Sequence, residues 1–186
     1  MRSYEIENFI TQQRADEIHN LLDPVHRSIN SVKERDELFN KWKNQGATKI
    51  VGPEDDGKAP DQDDYFLGCF VEREDIKDIA IQFESKYNME LKGALILRLH
   101  EPSHPHAHAG DLTVLVPFEG KMEFKICNEY SDIHSKPLEG TFTPELVASY
   151  SPLNAIVFDS KRVHYSGKGG EIPRTHLVMD YVHLRN

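Results

Sequence analysis

Cysteine is scarce in this chain, with only Cys69 and Cys127 in 186 residues and no CxxC spacing between them. Such usage excludes a disulfide scaffold and reads as that of a cytosol-type protein, each thiol a small apolar core residue. Positive charge is also short: 22 Lys and Arg face 31 Asp and Glu, a formal net charge of −9 at pH 7. An acidic chain lacks the broad cationic surface needed for nonspecific nucleic-acid or anionic-lipid binding, so neither partner is expected. No apolar run approaches the ~20 residues that cross a bilayer. The opening MRSYEIENFITQQRADEIHN has no signal-peptide core, and the expected location is the cytoplasm. A dinucleotide fingerprint, a Walker phosphate loop and a serine-hydrolase elbow are all missing from the sequence. The glycines Gly167, Gly169 and Gly170 read as a turn between strands.

What remains is an ordinary globular composition, 38% apolar and 28% charged, long enough for one domain with a sizeable core. A single unit over 1–186 is expected, helical and loop-rich over 1–92 and mainly β over 93–186. YEIENFI reads as a short strand. Thr11 can cap a helix through TQQRADEIHNLL, with Ala15, Ile18, Leu21 and Leu22 as its apolar stripe and Pro24 as its end. A second helix is expected from Val32 to Lys43, with Leu38, Phe39 and Trp42 on one side. The segment Asn44 to Tyr65, rich in Gly, Pro and Asp, reads as a loop, either an active-site lid or surface decoration. A third helix should span Arg73 to Tyr87, where Ile76, Ile79, Ala80, Phe83 and Tyr87 recur at helical spacing. The period then changes. ALILRL, LTVLVPF and KMEFKI, followed by Ala155–Phe158 and His176–His183, read as strands. The resulting class is α+β and mainly β, with helices packed on a barrel or sandwich.

Chemistry concentrates at LHEPSHPHAHAGD, where His100, His104, His106 and His108 fall within nine residues and Asp111 follows. Imidazole suits iron, zinc, copper or nickel, and a carboxylate adds a hard oxygen donor. Pro102 and Pro105 favour an extended backbone, which would set His104, His106 and His108 on one side. A remote ligand is available in His164, within AIVFDSKRVHYSGKGG, and Arg174 follows ten residues later in IPRTHLVMDY. His134, His176 and His183 read as structural or exposed.

These segments resemble the iron(II)- and 2-oxoglutarate-dependent dioxygenase superfamily, through SPLNAIVFDSKRVHYSGKGGEIPRTHLVMDYVHL and the strand–helix opening YEIENFITQQRADEIHNLL. The resemblance implies a double-stranded β-helix (jelly-roll, cupin-like) core with N-terminal helices packed on it. It implies iron held by a first histidine and by His164, and Arg174 on the 2-oxoglutarate carboxylate. The family's HxD triplet is absent. The iron segment instead resembles the aspartyl/asparaginyl β-hydroxylase branch, whose histidine precedes a small residue and glycine. Aligning on that glycine selects His108, Ala109 and Gly110, with His106 as the alternative first ligand and Asp111 one position late for the carboxylate. Arg98 is a candidate for an anionic ligand, and Thr113 for a hydroxyl inside the barrel. The implied reaction decarboxylates 2-oxoglutarate with dioxygen and hydroxylates a small molecule or an amino-acid or peptide side chain. The competing reading is a cupin-type metal-dependent enzyme or small-ligand-binding protein using His104, His106, Asp111 and His164. That reading calls for a third histidine at the metal and gives Arg174 no role.

Overall fold

The computed structural model describes residues 1–44, 67–134, 136–166 and 173–184. The expected loop from Asn44 to Tyr65 lies, but for Asn44, outside the described residues. So do Gly167, Gly169 and Gly170, and the side chains of Phe39 and Trp42.

The chain opens with strand β1 (Tyr4–Ile6) and helix α1 (Gln12–His19). Thr11 caps α1, its hydroxyl accepting from the Arg14 N–H at 3.2 Å, which satisfies one of the helix's orphan donors. Ala15, Ile18 and Leu22 are buried, whereas Leu21 is 40% exposed and falls outside the stripe expected for it. Pro24 does more than end a helix. Asp23 accepts from the Val25 N–H at 2.7 Å, and Pro24 opens the short helix α2 (Pro24–Ser28), where its fixed φ and missing N–H cost nothing. Helix α3 (Val32–Asn44) and strand β2 (Leu67–Phe70) follow. The helix expected from Arg73 is a 3-10 turn (Arg73–Ile76) running into α4 (Lys77–Tyr87). Asn88 ends it in the left-handed conformation, its N–H bonded to the Glu84 carbonyl.

Seven strands make up most of the remainder: β3 (Met89–Leu99), β4 (Leu112–Glu119), β5 (Met122–Tyr130), β6 (Pro144–Tyr150), β7 (Ala155–Phe158), β8 (Arg162–Ser166) and β9 (Arg174–His183). They form a six-stranded sheet in the order β1-β7-β4-β9-β3-β2 and a three-stranded sheet in the order β6-β5-β8. Every strand pair described is antiparallel. An isolated bridge between His106 and His164 lays the histidine segment along the free edge of β8.

Strand alternation divides the large sheet between two cores. Ile96, Val114, Val116, Val157, Leu177, Met179 and Tyr181 pack with Ala15, Ile18, Leu22, Ile79 and Phe83 from the helical side. On the opposite face, Leu115, Ile156, Phe158 and Val178 pack with Phe124, Ile126, Ala148 and Tyr150 of the small sheet. The helices therefore cover one face of the large sheet and the small sheet covers the other. Strands β2, β6 and β8 were not anticipated. In β8 the inward positions carry Arg162, His164 and Ser166 instead of aliphatics, so the hydrophobic alternation that announces a strand is absent.

Candidate metal centre

The site lies between the sheets, where β8 and the histidine segment run side by side. The His106 N–H donates to the His164 carbonyl at 3.0 Å and the His164 N–H to the His106 carbonyl at 2.9 Å. The rings of Phe124 and Phe158 pack on the His164 imidazole, with centroids at 5.7 and 4.7 Å. His106, His108 and His164 converge so that one nitrogen from each ring lies within 4.8 Å of the others. The sequence offered His106 and His108 as alternatives, and the fold brings both into the group.

Each ring is held from behind. His106 Nδ1 donates to the His104 carbonyl at 2.7 Å and His164 Nδ1 to the Arg162 carbonyl at 2.9 Å. His108 Nδ1 faces the Asp180 carboxylate at 3.1 Å. Carbonyl and carboxylate oxygens only accept, so each ring carries a proton on Nδ1 and turns Nε2 inward. His108 Nε2 and His164 Nε2 stand 3.3 Å apart, close enough for one cation to reach both. Burial, aided by the neighbouring histidines, pushes His106 down to about 4 and holds His164 well below the ordinary histidine value. Both are therefore neutral near pH 7, the form that ligates metal. Three imidazoles fit iron among other first-row ions.

Beside the histidines is a cavity of about 130 Å³. Its apolar walls include Leu97, Leu99, Leu115, Met122, Phe124 and Val178, and its polar groups are the three histidines, His104, Ser103, Arg174 and His176. Arg174 is 2% exposed. Its Nη2 donates to Ser166 Oγ at 2.8 Å and its Nε has no partner. Among the described residues no carboxylate pairs with it, and burial lowers its pKa. Ser166 also bonds Ser103, accepting from its N–H at 2.6 Å, which ties the histidine segment to β8. His176, expected to be structural or exposed, lines the cavity instead, because it shares the inward face of β9 with Arg174 and Val178. Its Nδ1 lies 2.8 Å from the buried Tyr150 hydroxyl, and burial, with Arg174 nearby, pushes it down to about 3. The two-residue offset from Arg174 was the available signal for it.

Three expected site residues lie elsewhere. Asp111 is not in the histidine group: its Oδ2 accepts from the His183 N–H at 2.9 Å, holding β4 to the end of β9. Arg98 points to the helical side of the sheet. There it donates to the Ile29 carbonyl, Asn30 Oδ1 and Thr175 Oγ1 and pairs with Glu119. Thr113 stands behind His108 and outside the cavity, donating to Asp180 Oδ1 at 2.6 Å and lying 2.8 Å from Ser160 Oγ. Asp180, which the sequence did not single out, sits opposite Thr113 on β9. Burial alone would raise its pKa, but the charge of His108 and the hydrogen bonds from His108 and Thr113 outweigh it and leave the carboxyl below the ordinary value.

No family model matches the sequence, and no curated protein matches it. Solved structures do match. Escherichia coli ycfD superposes on 100% of this chain with TM-score 0.54 and 11% identity. SnoN from nogalamycin biosynthesis, a non-heme alpha-ketoglutarate-dependent epimerase, covers 97% with TM-score 0.52 and 13% identity. The fold is shared with an alpha-ketoglutarate-dependent enzyme. A second SnoN structure, in complex with Fe3+, alpha ketoglutarate and nogalamycin RO, gives TM-score 0.55 at 12% identity. The match covers 78% of SnoN, whereas this chain spans half the length of the ycfD chain.

Proposed function

We propose that this chain is an iron(II)- and 2-oxoglutarate-dependent oxygenase that hydroxylates a small molecule or an amino-acid or peptide side chain. The observation that carries the reading is Arg174. A guanidinium 2% exposed, with only a serine hydroxyl as partner among the described residues, is a buried cation that an anionic ligand would complete. It lines the same cavity as the three histidines, so one dicarboxylate can meet both. Its planar fork suits a carboxylate bidentately.

His106, His108 and His164 are the proposed ligands of the metal. Iron(II) bound there would supply the dioxygen chemistry that converts 2-oxoglutarate to succinate and carbon dioxide while one oxygen atom enters a substrate C–H bond. The leucines and Phe124 keep water from the reacting centre. The strand arrangement supports a double-stranded β-helix reading. Strands β7, β4, β9 and β3 face β6, β5, β8 and the bridged histidine segment, four against four, within one domain over 1–186. Kinship to the β-hydroxylase branch rests on His108, Ala109 and Gly110 alone. Among the described residues no helix is long and apolar enough to cross a membrane, and the unpaired cysteines support a cytoplasmic location.

A cupin-type metal enzyme working without a cosubstrate is the second reading, favoured by the third histidine. Arg174 separates the two. Anaerobically iron-loaded protein given 2-oxoglutarate and oxygen should release succinate and bind 2-oxoglutarate. Binding and turnover should be lost in His164→Ala and weakened in Arg174→Ala. Folded, iron-loaded wild type that neither binds nor consumes 2-oxoglutarate would overturn the proposal in favour of the cupin reading.

A further inference from the structure

A site built from three imidazoles has a charge problem. A divalent ion among His106, His108 and His164 would share its cavity with the Arg174 guanidinium, and none of the three ligands brings a negative charge. Low-dielectric surroundings make such a concentration of positive charge costly unless a carboxylate stands close.

Asp180 is a carboxylate bonded directly to a ring of the triad. It reaches the site through His108, whose Nδ1 lies 3.1 Å from Asp180 Oδ1. The carboxylate is itself held in place. Thr113 Oγ1 donates to the same oxygen at 2.6 Å and lies 2.8 Å from Ser160 Oγ. The backbone closes the arrangement: the His108 N–H donates to the Ser160 carbonyl and the Asp111 N–H to the Tyr181 carbonyl, both at 2.8 Å. Gly110 permits that closure. A Cβ there would stand 3.0 Å from both Ser160 Oγ and the Tyr181 carbonyl and 3.5 Å from Asp180 Cβ, so a side chain would push the histidine segment away from β9.

We infer that Asp180 is a positioning residue of the metal centre: it fixes His108 with Nε2 toward the ion and, through that ring, supplies the negative charge that the three-histidine ligand set lacks. Carboxylates bonded to ligating histidines orient the ring and raise its basicity, and losing one typically costs about 10–100-fold in metal affinity. The inference rests on the reading that the triad holds a divalent metal.

The test is titration of the metal-free chain with Co(II), followed by calorimetry and by the visible absorption of the bound ion. Imidazole 15N NMR of the metal-free protein reports the His108 tautomer. Asp180→Asn keeps an acceptor oxygen but no charge, and should bind Co(II) about 10-fold more weakly with the His108 tautomer preserved. Asp180→Ala should lose about 100-fold, with the tautomer released and the cobalt spectrum altered. Thr113→Val, which leaves the carboxylate but removes its donor, should lose a few-fold and serves as the readout if Asp180→Ala does not fold. Tight Co(II) binding by wild type, matched within twofold and with the same spectrum by Asp180→Asn and by whichever of Asp180→Ala and Thr113→Val folds, overturns the role of Asp180 and leaves the metal reading standing. Wild type that takes up no Co(II) overturns the metal reading and this inference with it.

Discussion

Replacing Arg174 with methionine should move stability and ligand binding in opposite directions. The guanidinium is 2% exposed, and among the described residues one of its nitrogens lacks a partner and its bonded neighbour is Ser166. Ser166 keeps its contacts with Ser103 when the arginine is gone, so the substitution removes a desolvated charge without orphaning a buried group. Exchanging buried ionic groups for apolar ones of similar volume stabilises by about 1–4 kcal/mol. For a chain of this length each kcal/mol raises Tm by about 2–4 °C. In ligand-free protein Arg174→Met should therefore melt several degrees above wild type. With 2-oxoglutarate and a redox-inert divalent metal the difference shifts toward wild type by about 2.3 kcal/mol. At a ligand concentration 100 times Kd, wild type should gain about 2.7 kcal/mol. Two charge-assisted hydrogen bonds are worth about 1.5–3 kcal/mol each, so the variant binds at least ~100-fold more weakly and gains about 0.4 kcal/mol or less at that concentration. Thermal and urea melts with and without ligand measure both quantities. A ligand-free variant destabilised by more than about 1 kcal/mol that still shows the full ligand shift would refute the assignment of Arg174 as an unpaired cation awaiting a carboxylate.

The metal-free protein should lose stability in mild acid. His106 and His176 titrate at about 4 and about 3 in the folded chain and near 6.5 when unfolded. The unfolded state thus binds more protons below that value, and stability falls with pH by up to about 1.4 kcal/mol per unit for each histidine. The contribution is complete above about pH 6.5 and erodes toward pH 4; a Tm that stays flat between pH 7 and pH 4.5 contradicts it. Arg98→Met should cost about 4.5 kcal/mol or more in urea unfolding, at least about 1.5 kcal/mol for each lost charge-assisted hydrogen bond to Ile29, Asn30 and Thr175. Its 2-oxoglutarate affinity should match wild type, and a variant that loses ligand binding while remaining stable would return Arg98 to the site.

Residues whose chemistry is local were readable in advance. The Thr11 cap, the apolar spacing of α4 and the histidine density at 104–108 are short-range patterns, and they appear where expected. Residues whose role depends on a distant partner were misplaced. Arg98 and Leu97 are adjacent in β3, and only the pleat decides that Leu97 lines the cavity while Arg98 faces the helices. Asp111 had the residue type of a ligand, but its carboxylate is taken by the His183 N–H across the sheet. His176 was overlooked because one histidine in a strand carries no local signal, and β8 because polar residues fill its inward positions.

The amino-acid sequence by itself determined the donors: imidazoles two residues apart on an extended, proline-flanked segment, a distant histidine, and an arginine ten residues beyond it. Those choices set the chemistry available, since softness, charge and hydrogen-bonding fork are properties of the side chains. The tertiary structure decided which donors meet. Pairing of His106 with His164 across two strands, closure of Gly110 onto β9 and the approach of Asp180 to His108 all join residues more than 50 positions apart. No local pattern encodes such contacts, because each depends on the register of two strands and the packing of two sheets.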